Sequence, residues 1–129
     1  MNAVNIGERT LSELDFCRLA QLRSGHAPAE LAELLAQAEV VQATLVPRDV
    51  VTMYAQVDLE DMATGRRLRF VLCYPDQREP REGYISVLSP IGLALIGLST
   101  GGVASWESST GLPCRARVTA VSRIAQFAA

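Results

Sequence analysis

ISVLSPIGLALIGLSTG, Ile85 to Gly101, passes from β-branched residues through a Ser-Pro step into an apolar run that stops at glycines. Pro90 pre-sets the backbone of a first helical turn, Ser89 is a natural cap in front of it, and Gly97 or Gly101 ends it. The spacing therefore predicts a helix of about two to three turns. Ile91, Leu95 and Leu98 share the face expected to lie on a sheet, while Leu93, Ile96 and Gly97 point sideways. A helix apolar all round needs cover on several sides, and one sheet covers only one. Either an N-terminal segment folds over it or a partner does.

Working outward, both flanks carry strand signals. VASWES places Ala104 and Trp106 on one face, STGLP is a turn, and CRARVTAVSRI sends Cys114, Ala116, Val118 and Ala120 inward with Arg115, Arg117 and Thr119 outward. Upstream, DVVTMYAQVDL alternates Val51, Met53, Ala55, Val57 and Leu59 with polar neighbours, the signature of a strand with one buried face. EDMATGRR supplies a glycine-containing hairpin turn, and Leu68, Phe70, Leu72 and Tyr74 form the return strand. PDQREPREG, with two prolines and five charges, is a loop.

From Leu11 to Val46 the period is helical. Thr10 or Ser12 caps a first helix, Thr10 and Glu13 form a capping box, and Leu11, Leu14, Leu19 and Leu22 make its apolar face up to about Arg23. After the turn SGHAPAE, a second helix carries Leu31, Leu34, Leu35, Ala38, Val41 and Leu45, with Glu30 and Glu33 at its positive end, until Pro47 stops it. Each helix is expected to span about 13 to 17 residues, on the order of 20 to 25 Å. The fold class is thus α+β: a short antiparallel helical hairpin (coiled coil) over residues 1–46, then an antiparallel sheet of four or five strands with one short helix over 47–129.

Bulk composition limits the function. The chain has 129 residues, 49% hydrophobic and 20% charged, which suits one ordinary globular unit. A net charge of -2 gives no basic footprint for direct, sequence-specific nucleic-acid binding. All twelve basic residues are arginines, scattered on strand faces such as Arg66, Arg67, Arg69, Arg115 and Arg117. The N-terminus has no signal-peptide pattern, and Ile91 to Leu98 is too short to span a bilayer, so a cytoplasmic protein without a membrane partner is expected. Cys17, Cys73 and Cys114 are odd in number and lack a CxxC, which reads as small buried apolar residues rather than disulfides or a zinc site.

Catalytic machinery is not evident. His26 is the only histidine, so no second-histidine relay or two-histidine metal site exists. Glu30 and Glu33 read first as favourable charge at a helix N-terminus. No phosphate-cradling glycine motif is present, and Trp106 reads as sheet core. No catalytic, cofactor-binding or metal-ligating residue is assigned.

The stretch from Tyr84 to Val121 resembles the C-terminal domain of the GreA/GreB transcription elongation factors: a strand, a Ser-Pro step, an apolar helix, a glycine turn and two closing strands. Leu45 to Pro75 is similar to the relatives called regulators of nucleoside diphosphate kinase. The resemblance implies an FKBP-like C-terminal domain, an N-terminal antiparallel coiled coil, and binding to bacterial RNA polymerase at its secondary channel. It implies docking at Leu88, Ser89 and Pro90, with Leu88 standing where Gre factors often carry an acidic or polar residue. It also implies a hairpin tip at His26 and Glu30. Gre factors use an acidic tip pair to hold a catalytic magnesium, whereas this tip reads RSGHAPAE on a short arm. The implied role is a non-enzymatic competitor of Gre factors that affects nucleoside diphosphate kinase levels. The alternative is a cleavage factor in which Glu30 and Glu33 assist metal binding. FKBP-like shape alone does not imply prolyl isomerase activity. The oligomeric state is left open.

Overall fold

The computed structural model describes residues 9–23, 25, 27–75 and 83–123. The N-terminus 1–8, His26, most of the PDQREPREG loop and the tail 124–129 lie outside the described residues. The architecture is mixed α+β, in the order β1 (Thr10–Ser12), α1 (Glu13–Leu22), α2 (Ala29–Gln37), β2 (Glu39–Val41), β3 (Ala55–Asp61), β4 (Arg67–Cys73), β5 (Tyr84–Ser86), α3 (Pro90–Leu95), β6 (Val103–Glu107) and β7 (Pro113–Arg123).

The helix pair is shorter than its periodicity predicts. Ser12 Oγ accepts from Asp15 N–H at 3.0 Å, so the cap is Ser12 with α1 beginning at Glu13, and the Thr10–Glu13 box does not form. Thr10 to Ser12 instead pair in parallel with Glu39 to Val41. Glu39 N–H donates to Arg9 O at 2.8 Å, and the β-branched Val40 and Val41 favour the extended form. That ladder ends α2 at Gln37, and a 3-10 turn at Ala43–Leu45 follows, leaving Leu45 exposed. Leu31, Leu34 and Leu35 are buried as expected. On α1 the roles differ from the reading: Leu14 and Cys17 face outward, while Asp15 and Leu19, four residues apart on one face, face the core. Of the other cysteines, Cys73 is buried and Cys114 half-buried.

The main sheet has the order β5-β4-β3-β7-β6. Its pairings are antiparallel except β4 with β5, which run parallel from Val71↔Tyr84 to Cys73↔Ser86, because β5 starts beside the middle of β4 and runs toward the same end; the expected all-antiparallel sheet is corrected there. Val51, Met53, Ala55, Val57 and Leu59 are all buried. The strand itself starts only at Ala55, after Tyr54 takes a positive φ of 66°. On β7 the alternation breaks: Leu59 pairs with Val118 and Asp58 with Ala120, leaving Thr119 as a bulge. The extra residue resets the faces, so Ala120 is exposed and Val121 packs against the core instead.

Helix α3 begins as expected, with Ser89 Oγ accepting from Gly92 N–H at 3.1 Å, but it spans six residues and gives way before Gly97, whose φ is 87°. Leu93, Ala94, Leu95, Ile96 and Leu98 are buried, and Ile91 is half-buried. Both sides of this segment are covered from within the chain. Val51 N–H donates to Leu98 O at 2.7 Å on one side, and Thr10 N–H to Gly97 O at 3.0 Å on the other. Leucines of α1 and α2 join the sheet and α3 in one apolar core. Each fully buried leucine contributes about 1.5–3 kcal/mol of transfer free energy.

Candidate functional site

An open groove of about 920 Å³ lies between the helices and the β6–β7 end of the sheet. Pro28, Glu30, Glu33 and Leu34 contribute one wall, and Leu88, Pro90, Leu93 and Ala94 contribute the α3 side. Trp106, Glu107, Cys114 and Arg115 line it from β6 and β7. The groove thus brings together the predicted docking residues Leu88 and Pro90 with Glu30 of the helix pair. Sequence reasoning set these on separate elements without relating them; Trp106, assigned to the core, does pack against it, half-buried, and lines the groove as well.

The start of α3 owes its shape to three residues. Ser89 Oγ donates to Ser86 O at 2.6 Å while accepting from Gly92 N–H, so both functions of the hydroxyl are used inside the fold. Gly92 sits so close to the preceding strand that a Cβ there would lie 2.3 Å from Ser86 O and 2.8 Å from Val87 Cα. Pro90 is exposed and Leu88 half-buried, so these two present the surface and Ser89 holds it.

Arg9, which the sequence reading did not single out, lines the same groove. Its Nη1 donates to Leu93 O and, at 3.2 Å, to Ile96 O, satisfying carbonyls at the end of α3 that lack helical partners. A cation suits the negative end of a helix. Burial nevertheless lowers the Arg9 pKa to about 10, and its Nε is buried without a partner among the described residues. A single arginine ahead of a helix carries no sequence signal for this use, since its partners lie more than 80 positions away.

Beneath the helix pair, Asp15 Oδ2 accepts from Met53 N–H at 3.4 Å, and Asp15 Oδ1 accepts from Tyr74 OH at 3.1 Å. Burial raises the Tyr74 pKa, the negative charge of Asp15 and its hydrogen bond add to the rise, and Arg18 opposes it. The Arg18 guanidinium lies 5.7 Å from the Tyr74 ring centre, and the Tyr54 ring meets Tyr74 edge-on at 5.8 Å. These contacts fix α1 on the sheet.

Glu30 and Glu33 are exposed on α2, three residues apart and therefore on neighbouring positions of one face. With Glu107 they bring three carboxylates to the groove, which Arg9 and the exposed Arg115 also line. Among the described residues, no group of three or more metal-ligating side chains gathers anywhere.

The fold and groove define a mixed α+β module whose largely apolar groove, edged by both acids and arginines, is walled on one side by α2. Residues 46–123 match the family described as transcription elongation factor, GreA/GreB, C-terminal. The chain belongs to the GreA/GreB family. It is 35% identical over 95 residues to transcription elongation factor GreA of Desulfovibrio desulfuricans, a match covering 71% of this chain and 59% of that protein. It is 32% identical over 78 residues to the regulator of nucleoside diphosphate kinase of Escherichia coli, covering 60% of this chain and 57% of that protein. The chain thus spans less than two thirds of the length of these curated relatives. Among solved structures, a prokaryotic transcription elongation factor GreA/GreB from Nitrosomonas europaea matches with a TM-score of 0.73 at 33% identity, over 89% of this chain and 98% of that one.

Proposed function

We propose that this chain is a non-enzymatic, cytoplasmic regulator that binds bacterial RNA polymerase at its secondary channel and competes there with Gre factors. On this reading residues 47–129 form an FKBP-like docking part, residues 1–46 a cut-down coiled coil that enters the channel mouth, and changes in nucleoside diphosphate kinase levels follow from transcription. The observation that carries it is the surface at the start of α3: Pro90 exposed and Leu88 half-buried on the edge of an apolar groove, held by the Ser89 cap. Membership of the family supports the choice of partner. The cleavage alternative has less support, because Glu30 and Glu33 line the groove beside Pro90 on a nine-residue helix.

The test is titration of the purified chain against core RNA polymerase, followed by competition with a Gre factor. Saturable binding at low micromolar concentration is expected, weakened about tenfold or more by Leu88→Asp or Pro90→Ala, which is at least ~1.4 kcal/mol. Absence of polymerase binding at that concentration would defeat the reading.

A further inference from the structure

Three elements meet at Arg9. Its carbonyl accepts from Glu39 N–H at 2.8 Å, two residues beyond the end of α2, and its Nη1 donates to Leu93 O and Ile96 O at the end of α3. The next residue adds a second tie, since Thr10 N–H donates to Gly97 O at 3.0 Å. Gly97 permits this approach: a Cβ there would stand 3.1 Å from Arg9 Cβ and 3.2 Å from Thr10 O. Neither α2 nor α3 has a basic residue in its own last turn. Arg9 supplies the cation that the negative end of α3 lacks, close to where α2 also ends.

This junction sets a direction. From it, α2 and α3 each lead back to a first turn that lines the open groove, with Pro28 and Glu30 on one and Leu88 and Pro90 on the other. The two starts are thus the far ends of levers joined at Arg9, about 14 Å long for the nine residues of α2 and about 9 Å for the six of α3. The start of α3 is held independently, by the Ser89 cap and by the close fit of Gly92 against Ser86 and Val87. The start of α2 has no side-chain cap, and Leu31, Leu34 and Leu35 hold the helix by apolar burial. Apolar burial is non-directional, whereas hydrogen bonds constrain angle. The angle of α2 against α3 therefore depends on Arg9.

We propose that Arg9 is a positioning residue for the docking surface: by joining the ends of α2 and α3 it sets Pro28 and Glu30 beside Leu88 and Pro90 as one composite contact. The inference deepens the polymerase-binding reading and rests on it for the identity of the partner. Arg9 acts through the helices, because its Nη1 is engaged by carbonyls of the fold. Without the guanidinium, the Thr10 tie and the β1–β2 ladder still join the elements. The chain then stays folded, and the angle loosens.

The test uses the full chain carrying Arg9→Met, which keeps the apolar stem, or Arg9→Lys, which keeps a cationic donor. Binding to core RNA polymerase is titrated under conditions where urea curves show each variant fully folded. In parallel, energy transfer from Trp106, the only tryptophan, to a dye on Ala29→Cys at the exposed start of α2 reads the spacing across the groove, with Cys17→Ser and Cys114→Ser keeping the label single. Arg9→Met should change the transfer efficiency and weaken polymerase binding about tenfold, and Arg9→Lys should restore most of both. Adding Arg9→Met to Pro90→Ala should weaken binding far less than the product of the two single effects, because groups that serve one contact are not additive. A general loss of stability would move none of these in folded protein. Unaltered binding by a folded Arg9→Met variant overturns the proposal, since α2 is then no part of the contact. Weakened binding with unaltered transfer also overturns it, because the guanidinium then meets polymerase directly, and so does full additivity with Pro90→Ala. Absence of binding by the unaltered chain overturns the polymerase reading and this use of Arg9 with it; that failure is told apart because transfer is read on the chain alone.

Discussion

At Gly92 the seat of α3, and with it the proposed docking surface, depends on a missing side chain. A Cβ there would meet backbone atoms of Ser86 and Val87 at 2.3 and 2.8 Å, and backbone cannot swing aside as a flexible side chain can. Gly92→Ala should therefore lift α3 from its strand, costing roughly 1–3 kcal/mol and lowering Tm by roughly 5–15 °C in a scan; an unchanged Tm would refute the close approach. Tyr74 makes a pH-dependent prediction. Burial holds its folded pKa above the ordinary value of about 10. The native state thus keeps a proton that the unfolded chain loses, so this contribution is whole below about pH 10 and is lost as pH rises further. Arg9 works in the opposite direction, because its folded pKa of about 10 lies below the unfolded value and the native state sheds that proton first. Urea midpoints measured from about pH 9 to 11 should fall with pH more steeply in the unaltered chain than in Tyr74→Phe. Parallel slopes would show that Tyr74 titrates alike in both states.

Between elements, two polar side chains hold the helix pair in place: Asp15 against β3 and Tyr74, and Arg9 against the end of α3. Arg9→Ala strands two carbonyls and loses the packing of the stem, which outweighs relief of the buried charge; a loss of about 1–3 kcal/mol in urea is expected. Arg9→Met, which keeps the stem, should lose less, and a larger loss than with alanine would contradict this account. Neither contact was legible in the sequence, because an aspartate in a first helical turn and an arginine before a cap have ordinary local roles, and their partners lie far along the chain. The strand faces of β3 and the cap of α3 were legible, since alternation and Ser-Pro are local signals. The length of α2 was not, because Val41 and Leu45 continue the i, i+3, i+4 stripe while the three-residue β2 shows no period of its own. Leu88, Pro90 and Glu30 were singled out individually, but the groove they share arises only when α2 folds against α3. The bulge at Thr119 hid the outward turn of Ala120 in the same way.

Taken as a whole, the molecule is a groove with a very short arm. Helix α1 has ten residues and α2 nine, so each rises only about 15 Å at 1.5 Å per residue. Their inner faces are already committed to the shared core through Leu19, Leu31, Leu34 and Leu35. Extending the pair as a free probe would expose these leucines at about 1.5–3 kcal/mol each, a large share of the roughly 5–15 kcal/mol by which a domain is stable. A chain docked on polymerase through Leu88 and Pro90 can therefore obstruct the channel mouth but cannot deliver Glu30 and Glu33 to a metal deep inside it. Added alone to a stalled elongation complex with magnesium, the chain should leave transcript length unchanged. Added with a Gre factor, it should slow the cleavage that factor stimulates, in proportion to its occupancy, and Pro90→Ala should relieve the inhibition. Glu30→Ala and Glu33→Ala should not restore or create cleavage in either assay. Transcript shortening by the chain alone that disappears in Glu30→Ala would overturn the competitor reading, because the carboxylates would then have to reach the metal and the helix pair would have to leave its core to bring them there.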